Sequence, residues 1–418
     1  MAPREQGHMP RRAWQVWLHA VFLIRPGAET MTPLFVWAPL ALISMTAAAV
    51  VAFQQNSLAD LWLVREWLRY WLAGGDPFTH YLGEVDYPPT AFFVLWPLAL
   101  PGDDAVRWLF VPLAIITMAA AGFVLLRWLS DRAGVTLAWY EQAALVAMLL
   151  SGGSARGGIW RGQTAALAVL LGALALYWSR RRPVAAAVTL AMCAYKPHIA
   201  LGFALAIFFT ERRAVVWWAG GITVAMWGIF AASVEQSLAG VLNLYTQSLF
   251  TLYDGPDRVR GLLSIRFVIE DFLEHYERGT VVYAALALIT LTLIGLAARR
   301  RFDSAGRTTI AAACLLWPLL FLPNQLYHGV LAWPAIWLLM WPEVQPVRHY
   351  GLRMVVIVGF ITFSVLDVPR TIRIFSGPES AAGIASYYLS PLRLALVLGL
   401  ILNALRQPHA LQFWRSAA

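Results

Sequence analysis

The chain has 418 residues, of which 60% are hydrophobic and 13% are charged, whereas about a quarter of the residues are charged in an ordinary soluble domain. This balance excludes a soluble globular protein. The net charge of +9 does not indicate nucleic-acid binding, because the arginines stand at the ends of apolar blocks and form no basic face or tail. The expected surroundings are membrane lipids.

The apolar residues form repeated blocks, many of them close to the roughly 20 residues that a helix needs to cross about 30 Å of hydrocarbon. Such blocks must be helical, because lipid offers the backbone no hydrogen-bond partners. They lie near residues 33–53, 105–127, 134–150, 163–179, 183–209, 214–232, 280–297, 307–323, 328–341, 352–367 and 384–404. We therefore predict an all-α polytopic membrane protein, with residues 1–418 as a single integral membrane domain.

Clusters of arginine at the ends of these blocks predict which ends are cytoplasmic. The clusters are Arg127 with Arg132, Arg180 to Arg182, Arg212 with Arg213, Arg299 to Arg301, and Arg348 with Arg353. Placing all of them in the cytoplasm gives about twelve spans, by the positive-inside rule. The predicted external segments are residues 54–104, 151–162, 233–279, 323–328 and 368–383.

This orientation predicts two irregular features. Block 183–209 has arginines on both flanks, so it should enter and leave on one side as two short helices that break at Tyr195-Lys196-Pro197. A proline disfavours helix at the residue before it, which predicts the break at Lys196. The short apolar block 90–100 has external residues on both sides and should be re-entrant or interfacial.

The first external segment is the most informative. Residues Leu61 to Leu72 have helical periodicity with tryptophans and arginines interleaved, which predicts an amphipathic helix lying in the membrane interface. Gly74-Gly75 should end that helix. Asp60 stands at its N-terminal end, where it is either a helix cap or a catalytic carboxylate.

Lys196 is the one lysine among 32 basic residues. A lysine retained at a helix break inside an apolar block indicates that a compact ammonium is needed there, and charges within the membrane are commonly functional. The alternative is a lysine that snorkels to the interface. His198, two residues further on, is predicted to share the same cavity.

Two other external sites carry candidate cations. The glycine-rich segment Ser151 to Gln163 contains Arg156 and Arg161, and glycine loops before a helix suit a phosphate. Such loops are common, so this pattern alone is weak. His328 follows Asn324-Gln325 on the same face, where a histidine is more often structural.

Several patterns are missing from the sequence. There is no nucleotide-binding glycine fingerprint, no P-loop, no Asp-x-Asp pair, and no zinc motif in which a His-x-Glu triplet is followed by a Cys-x-x-Cys pair. We therefore expect no nucleotide donor, no metal and no cofactor. Cys193 and Cys314 both lie inside apolar blocks, which predicts buried free thiols.

The order of these features resembles glycosyltransferase family 87, the polyprenyl-phosphate-mannose-dependent α-mannosyltransferases of the membrane-embedded GT-C class. Four places carry the resemblance: Asp60 after the first span, Gly74 to Phe78 with Tyr87-Pro88-Pro89, Gly162-Gln163 at the start of a span, and Lys196-Pro197 in a later one. The strongly aromatic helix from Leu61 to Leu72 departs from the family pattern, which leaves the acceptor open.

The resemblance implies a GT-C-type fold and a catalytic carboxylate in the first external loop, which maps onto Asp60. We expect inverting transfer of a hexose, mannose by the resemblance, from a polyprenyl-phosphate sugar to a lipid or glycan acceptor. The expected setting is the external or periplasmic face of a prokaryotic inner membrane. Candidate ligands of the donor phosphate are Lys196, Arg156, Arg161 and His328, and candidate substrate-binding residues are Gln163, Asp86, Tyr87 and His198.

Two alternatives stay open at this point. A transporter or flippase for a lipid-linked sugar would also need intramembrane cations, but it predicts more polar residues along the middle of the spans. A binding or assembly partner without chemistry would tolerate asparagine at position 60.

Overall fold

The computed structural model describes residues 31–54, 57–253, 264–273, 276–300, 304–322, 326–340, 350–368, 372, 375–377 and 380–405. This part of the chain is helical and contains no strand, which confirms the predicted all-α class. Its first half comprises helices α1 (Thr32–Ala52), α2 (Ala59–Leu72), α3 (Pro77–His80), α4 (Thr90–Leu95), α5 (Asp103–Ala133), α6 (Trp139–Ser151), α7 (Gly153–Arg161), α8 (Ala165–Trp178) and α9 (Pro183–Cys193).

The second half continues with helices of 8 to 25 residues. They are α10 (Pro197–Thr210), α11 (Arg213–Ser233), α12 (Leu238–Tyr253), α13 (Arg266–Leu273), α14 (Tyr276–Arg299), α15 (Ser304–Phe321), α16 (Trp333–Met340), α17 (Tyr350–Leu366) and α18 (Ala381–Leu405). Two 3-10 helices cover Trp96–Ala99 and Leu326–Ala332.

Within the described residues, four helical segments are long and apolar enough to cross a membrane: α1, α5, α11 and residues Gly279–Arg299 of α14. Shorter apolar helices, among them α8, α9 and α10, pack between them. This arrangement agrees with the predicted polytopic membrane protein of GT-C type. The count of about twelve spans stays a prediction.

The break predicted at Lys196 is confirmed. Helix α9 ends at Cys193 and α10 begins at Pro197, so Lys196 stands between two short helices that do not continue each other. Arg180, just after α8, and Arg132, near the end of α5, both pair with Glu211, just after α10. The two flanks of the broken pair therefore lie at the same end of the bundle, as the arginines predict.

This ionic cluster also locates the site residues at the other end of the bundle. Gln163 precedes the first residue of α8 and Arg180 follows its last residue. The 14 residues of α8 make a helix about 20 Å long. The end of the bundle that contains Gln163 is therefore remote from the Arg180–Glu211 pair.

Residues 57–104, within the segment predicted to be external, contain the expected amphipathic helix. Helix α2 buries Leu61, Val64 and Leu68, and the amides of Gly74 and Gly75 close its C-terminal end by donating to the carbonyls of Trp71 and Tyr70 over 2.9 and 3.0 Å. The block 90–100 forms α4 and the 3-10 helix Trp96–Ala99, which are too short to cross the membrane.

One predicted loop is in fact a helix. Residues Gly153–Arg161 form α7, which packs against α1 and the 3-10 helix Leu326–Ala332. The glycines lower the intrinsic helix propensity, but tight packing against these neighbours overrides it. Residues 323–325, residues 254–263 of the segment 233–279, and Arg348 lie outside the described residues.

Candidate active site

The position of Asp60 is fixed by the turn at the start of α2. Leu58 adopts a left-handed conformation (φ 60°) and its amide donates to the carbonyl of Trp160 over 3.0 Å, so this turn is fixed against the end of α7. Leu58, not Asp60, is the N-cap residue of α2, and no side chain caps it. Asp60 lies in the first helical turn, where its carboxylate is free for another role.

Gly162 brings α7 and α8 against this turn. Its φ of +78° is left-handed, and a Cβ at this position would lie 2.6 Å from Cβ of Leu61 and 3.0 Å from Cα of Leu58. Only glycine allows so close an approach. The approach presents Gln163 to Asp60, and Gln163 Nε2 donates a hydrogen bond to Asp60 Oδ2.

The amide of Gln163 also binds Lys196. The ammonium Nζ of Lys196 donates to Gln163 Oε1 over 3.1 Å, so a carboxylate, an amide and an ammonium form one connected chain. Lys196 is 5% exposed and its Nζ lies 3.9 Å from the centroid of the Tyr87 ring. This is a cation–π contact in a desolvated setting.

A pair of tyrosines supports the lysine. The rings of Tyr87 and Tyr195 stack with an interplanar angle of 16°. The Tyr195 hydroxyl donates to the carbonyl of Thr164 over 2.5 Å, and the Tyr87 hydroxyl lies 3.4 Å from Thr164 Oγ1. The start of α8 thus fixes the aromatic surface against which Lys196 lies.

Lys196 opens onto a cavity of about 670 Å³. Its lining combines polar side chains with apolar ones: Asp86, Tyr87, Lys196, His198 and Arg266 among the first, and Leu201, Leu249, Phe250 and Leu322 among the second. A volume of this order suits a medium-sized ligand, and a mixed lining suits a ligand that has both polar and apolar parts.

Asp86 is the carboxylate that lines this cavity. Burial raises the pKa of Asp86 above its ordinary value; the Lys196 ammonium acts in the opposite direction, and the Asp60 carboxylate raises the pKa further. Asp60 does not line the cavity and reaches it through Gln163 and Lys196. Both aspartates therefore interact electrostatically with Lys196, but only Asp86 lines the cavity.

His198 and His328 form a contact pair beside Lys196. Their Nε2 atoms lie 3.1 Å apart, so one carries the hydrogen and the other accepts it. His198 lines the cavity, while His328 is buried on the 3-10 helix Leu326–Ala332. The predicted proximity of His198 and Lys196 is thus present, and His328 joins them from a distant part of the sequence.

Comparison with known proteins decides the class. The sequence model of glycosyltransferase family 87 matches residues 86–323, which is more than half of the chain. The chain belongs to glycosyltransferase family 87. This confirms the resemblance drawn from the motifs and makes the protein a membrane glycosyltransferase. No curated protein and no solved structure matches it.

The family match covers part of the site. Asp86, Gln163, Lys196 and Arg266 of this family 87 transferase lie inside residues 86–323, whereas Asp60 precedes them. The connection of Asp60 to the matched region is structural, through its hydrogen bond with Gln163.

Neither of the two arginines of the glycine-rich segment lines the cavity. Arg156 donates to the carbonyl of Val365 over 2.7 Å and contacts Ser44 Oγ at 3.3 Å, which ties α7 to α17 and α1. Arg161 is exposed and lies over the Trp160 ring at 5.2 Å. The prediction that both bind the donor phosphate finds no support in this geometry.

Sequence reasoning missed Arg266 and Tyr195 in the cavity wall of the transferase. Arg266 is one of several arginines in the predicted segment 233–279, and nothing in the sequence distinguishes it. Cys193 and Cys314 are free and buried, as predicted. Among the described residues, no three His, Cys, Asp or Glu side chains are grouped as a metal site requires.

Proposed function

We propose that this family 87 transferase moves a hexose from a polyprenyl-phosphate sugar to a lipid or glycan acceptor. The observation that carries the proposal is the hydrogen-bonded series Asp60–Gln163–Lys196 beside a cavity lined by both polar and apolar side chains. The Gln163 amide, bonded to both, holds the Asp60 carboxylate and the Lys196 ammonium a fixed distance apart. The cavity beside them would accept both a sugar and part of a lipid.

The mixed polar and apolar lining of the cavity supports a lipid-linked donor. The phosphate and sugar of such a donor would face Lys196 and Asp86, and its polyprenyl chain would lie against Leu201, Leu249 and Phe250. Phe250 is 73% exposed, so the apolar part of the lining reaches the surface of the protein. A nucleotide sugar has no apolar part to bind there, and the sequence contains no nucleotide-binding fingerprint.

The reaction that fits these residues is a direct displacement at the anomeric carbon. Asp60 takes the proton from an acceptor hydroxyl while the acceptor oxygen bonds to that carbon. The bond from the carbon to the phosphate oxygen breaks, and its electron pair leaves with the polyprenyl phosphate. The phosphate gains one negative charge in this step, which Lys196 stabilises inside the buried site.

The remaining polar residues of the cavity would position the sugar. Asp86 and Tyr87 present oxygen atoms for sugar hydroxyls, and Gln163 holds the Asp60 carboxylate and the Lys196 ammonium in register. His198 adds a polar group to the lining, and His328 contacts it from outside the lining. Mannose as the transferred sugar follows from the family resemblance, and the displacement requires no metal or cofactor.

The external or periplasmic face of a prokaryotic inner membrane is the proposed location of the reaction. The arginine-rich end of the bundle, with Arg132 and Arg180 on Glu211, is the predicted cytoplasmic end. Asp60 and Gln163 lie at the opposite end of α8. The whole chain is proposed to act as a single membrane domain.

A donor comparison tests the proposal. Purified protein in proteoliposomes, supplied with a lipid extract of its own membrane as acceptor, should transfer mannose from polyprenyl-phosphate mannose. It should transfer none from a nucleotide-linked mannose when no enzyme that makes the lipid donor is present. Transfer from the nucleotide sugar alone, with none from the lipid donor, would contradict the proposal.

A further inference from the structure

The cavity contains a second cation that the assignments above leave unused. The described lining residues include one lysine, Lys196, and one arginine, Arg266. Lys196 lies at the break between α9 and α10, and Arg266 is the first residue of α13. Lys196 is buried and Arg266 is partly exposed, and two cationic side chains that line one cavity suit an anionic ligand.

Local hydrogen bonds fix the position of Arg266. The amide of Ile265 and the hydroxyl of Ser264 both donate to the carbonyl of Leu320, over 2.9 and 3.1 Å. The amide of Arg266 in turn donates to Ser264 Oγ over 3.2 Å. The residues before Arg266 are thus anchored to the C-terminal end of α15. This anchoring fixes the backbone from which the Arg266 side chain reaches the cavity.

The charge of the reacting phosphate calls for more than one cation. A sugar phosphodiester carries one negative charge, and the phosphate monoester that leaves carries up to two. Lys196 supplies one positive charge, already directed to Gln163 and the Tyr87 ring, and Asp86 offsets part of it. A guanidinium can donate two parallel hydrogen bonds to a phosphate.

We propose that Arg266 binds the phosphate of the lipid donor together with Lys196, in the role that the sequence had suggested for Arg156 and Arg161. This inference rests on the proposed function and specifies its phosphate site. Phe250, next to Leu249 in the lining, is 73% exposed, so the polyprenyl chain would leave the cavity at these two residues.

The experiment compares binding of a polyprenyl monophosphate and the uncharged polyprenol to wild type, Arg266→Gln and Arg266→Lys. Arg127→Gln is the matched control, since Arg127 pairs with Asp131 on α5 and does not line the cavity. Arg266→Gln should weaken monophosphate binding about 10- to 100-fold, the effect of losing a charged hydrogen bond. Polyprenol binding should change little, and Arg266→Lys should restore part of the loss.

The outcomes separate this inference from the proposed function. If wild type binds the monophosphate no better than the polyprenol, the lipid-phosphate donor itself is contradicted. If wild type prefers the monophosphate and Arg266→Gln keeps that preference in full, only the role of Arg266 is contradicted. Should Arg266→Gln fail to fold, Arg266→Lys decides: a preference for the monophosphate over polyprenol that is reduced but not lost supports the role, and an unchanged preference contradicts it.

Discussion

Replacing Asp60 with asparagine should lower the rate of sugar transfer by about 10²- to 10⁴-fold, the range attributed to a positioned general base. Asparagine cannot take up the proton of the acceptor hydroxyl. Its side-chain oxygen can still accept the hydrogen bond from Gln163 Nε2, so the site should keep its shape. Donor binding at Lys196 should be retained, and the loss should appear in kcat, measured in proteoliposomes.

A control on the same helix separates catalysis from folding. Glu66→Gln removes a carboxylate from α2 that contacts the Tyr81 hydroxyl at 3.0 Å, and it should leave transfer within about twofold, as expected for a surface substitution. Asp86→Asn is the informative comparison, because burial gives Asp86 a raised pKa and raised carboxyl pKa values favour bases that work near neutral pH.

The kinetic effects of Asp60→Asn and Asp86→Asn show which of the two aspartates is the base. With Asp60 as the base, Asp86→Asn should raise the KM for the donor about tenfold, by loss of a charged hydrogen bond, and should keep most of kcat. If instead Asp60→Asn retains kcat and Asp86→Asn abolishes it, Asp86 is the base and Asp60 positions Gln163.

Replacing Lys196 with methionine should lower kcat by about 10²- to 10³-fold, the cost of removing one preorganised charge-stabilising group. Methionine fills a similar volume but offers no charge to the leaving phosphate. Membrane insertion should not suffer, because removing a buried charge favours insertion. The measurement is the transfer rate per molecule of membrane-inserted protein.

Lys196→Arg tests the shape of the site as well as its charge. Lys196 Nζ lies 3.1 Å from Gln163 Oε1 and 3.9 Å from the Tyr87 ring centroid, so a larger planar guanidinium would displace both neighbours. We expect this variant to lose most of its activity. Arg182→Met, a change at the other end of the same helix pair, is the control and should remain active.

For the Lys196→Met variant, a normal turnover rate would contradict the role of Lys196. Binding of the donor phosphate would then be assigned to Arg266 alone.

Part of this site could be predicted from sequence because local physical chemistry determines it. The proline after Lys196 predicts the helix break, and the periodicity after Asp60 predicts α2, whose observed start at Ala59 differs by two residues. Both features depend on neighbouring residues along the chain, so they can be deduced without knowing the packing.

The rest depends on contacts between distant segments. The glycines before Gln163 predict a loop, yet packing against α1 holds them in helix α7. Gln163 becomes the bridge between Asp60 and Lys196 only because Gly162 permits close contact with Leu58 and Leu61. Arg266 reaches the cavity because Ser264 is anchored on Leu320, a contact across 56 residues. No local pattern contains that information.

The central claim is a direct displacement of polyprenyl phosphate by the acceptor, with Asp60 as the base. The anomeric configuration of the first product, determined by NMR from a donor of known configuration, tests it most directly. A β-linked polyprenyl-phosphate mannose should give an α-mannoside, and Asp60→Asn should give none. A product that retains the β configuration would contradict the account, because retention requires a covalent sugar–enzyme intermediate or an equivalent second displacement.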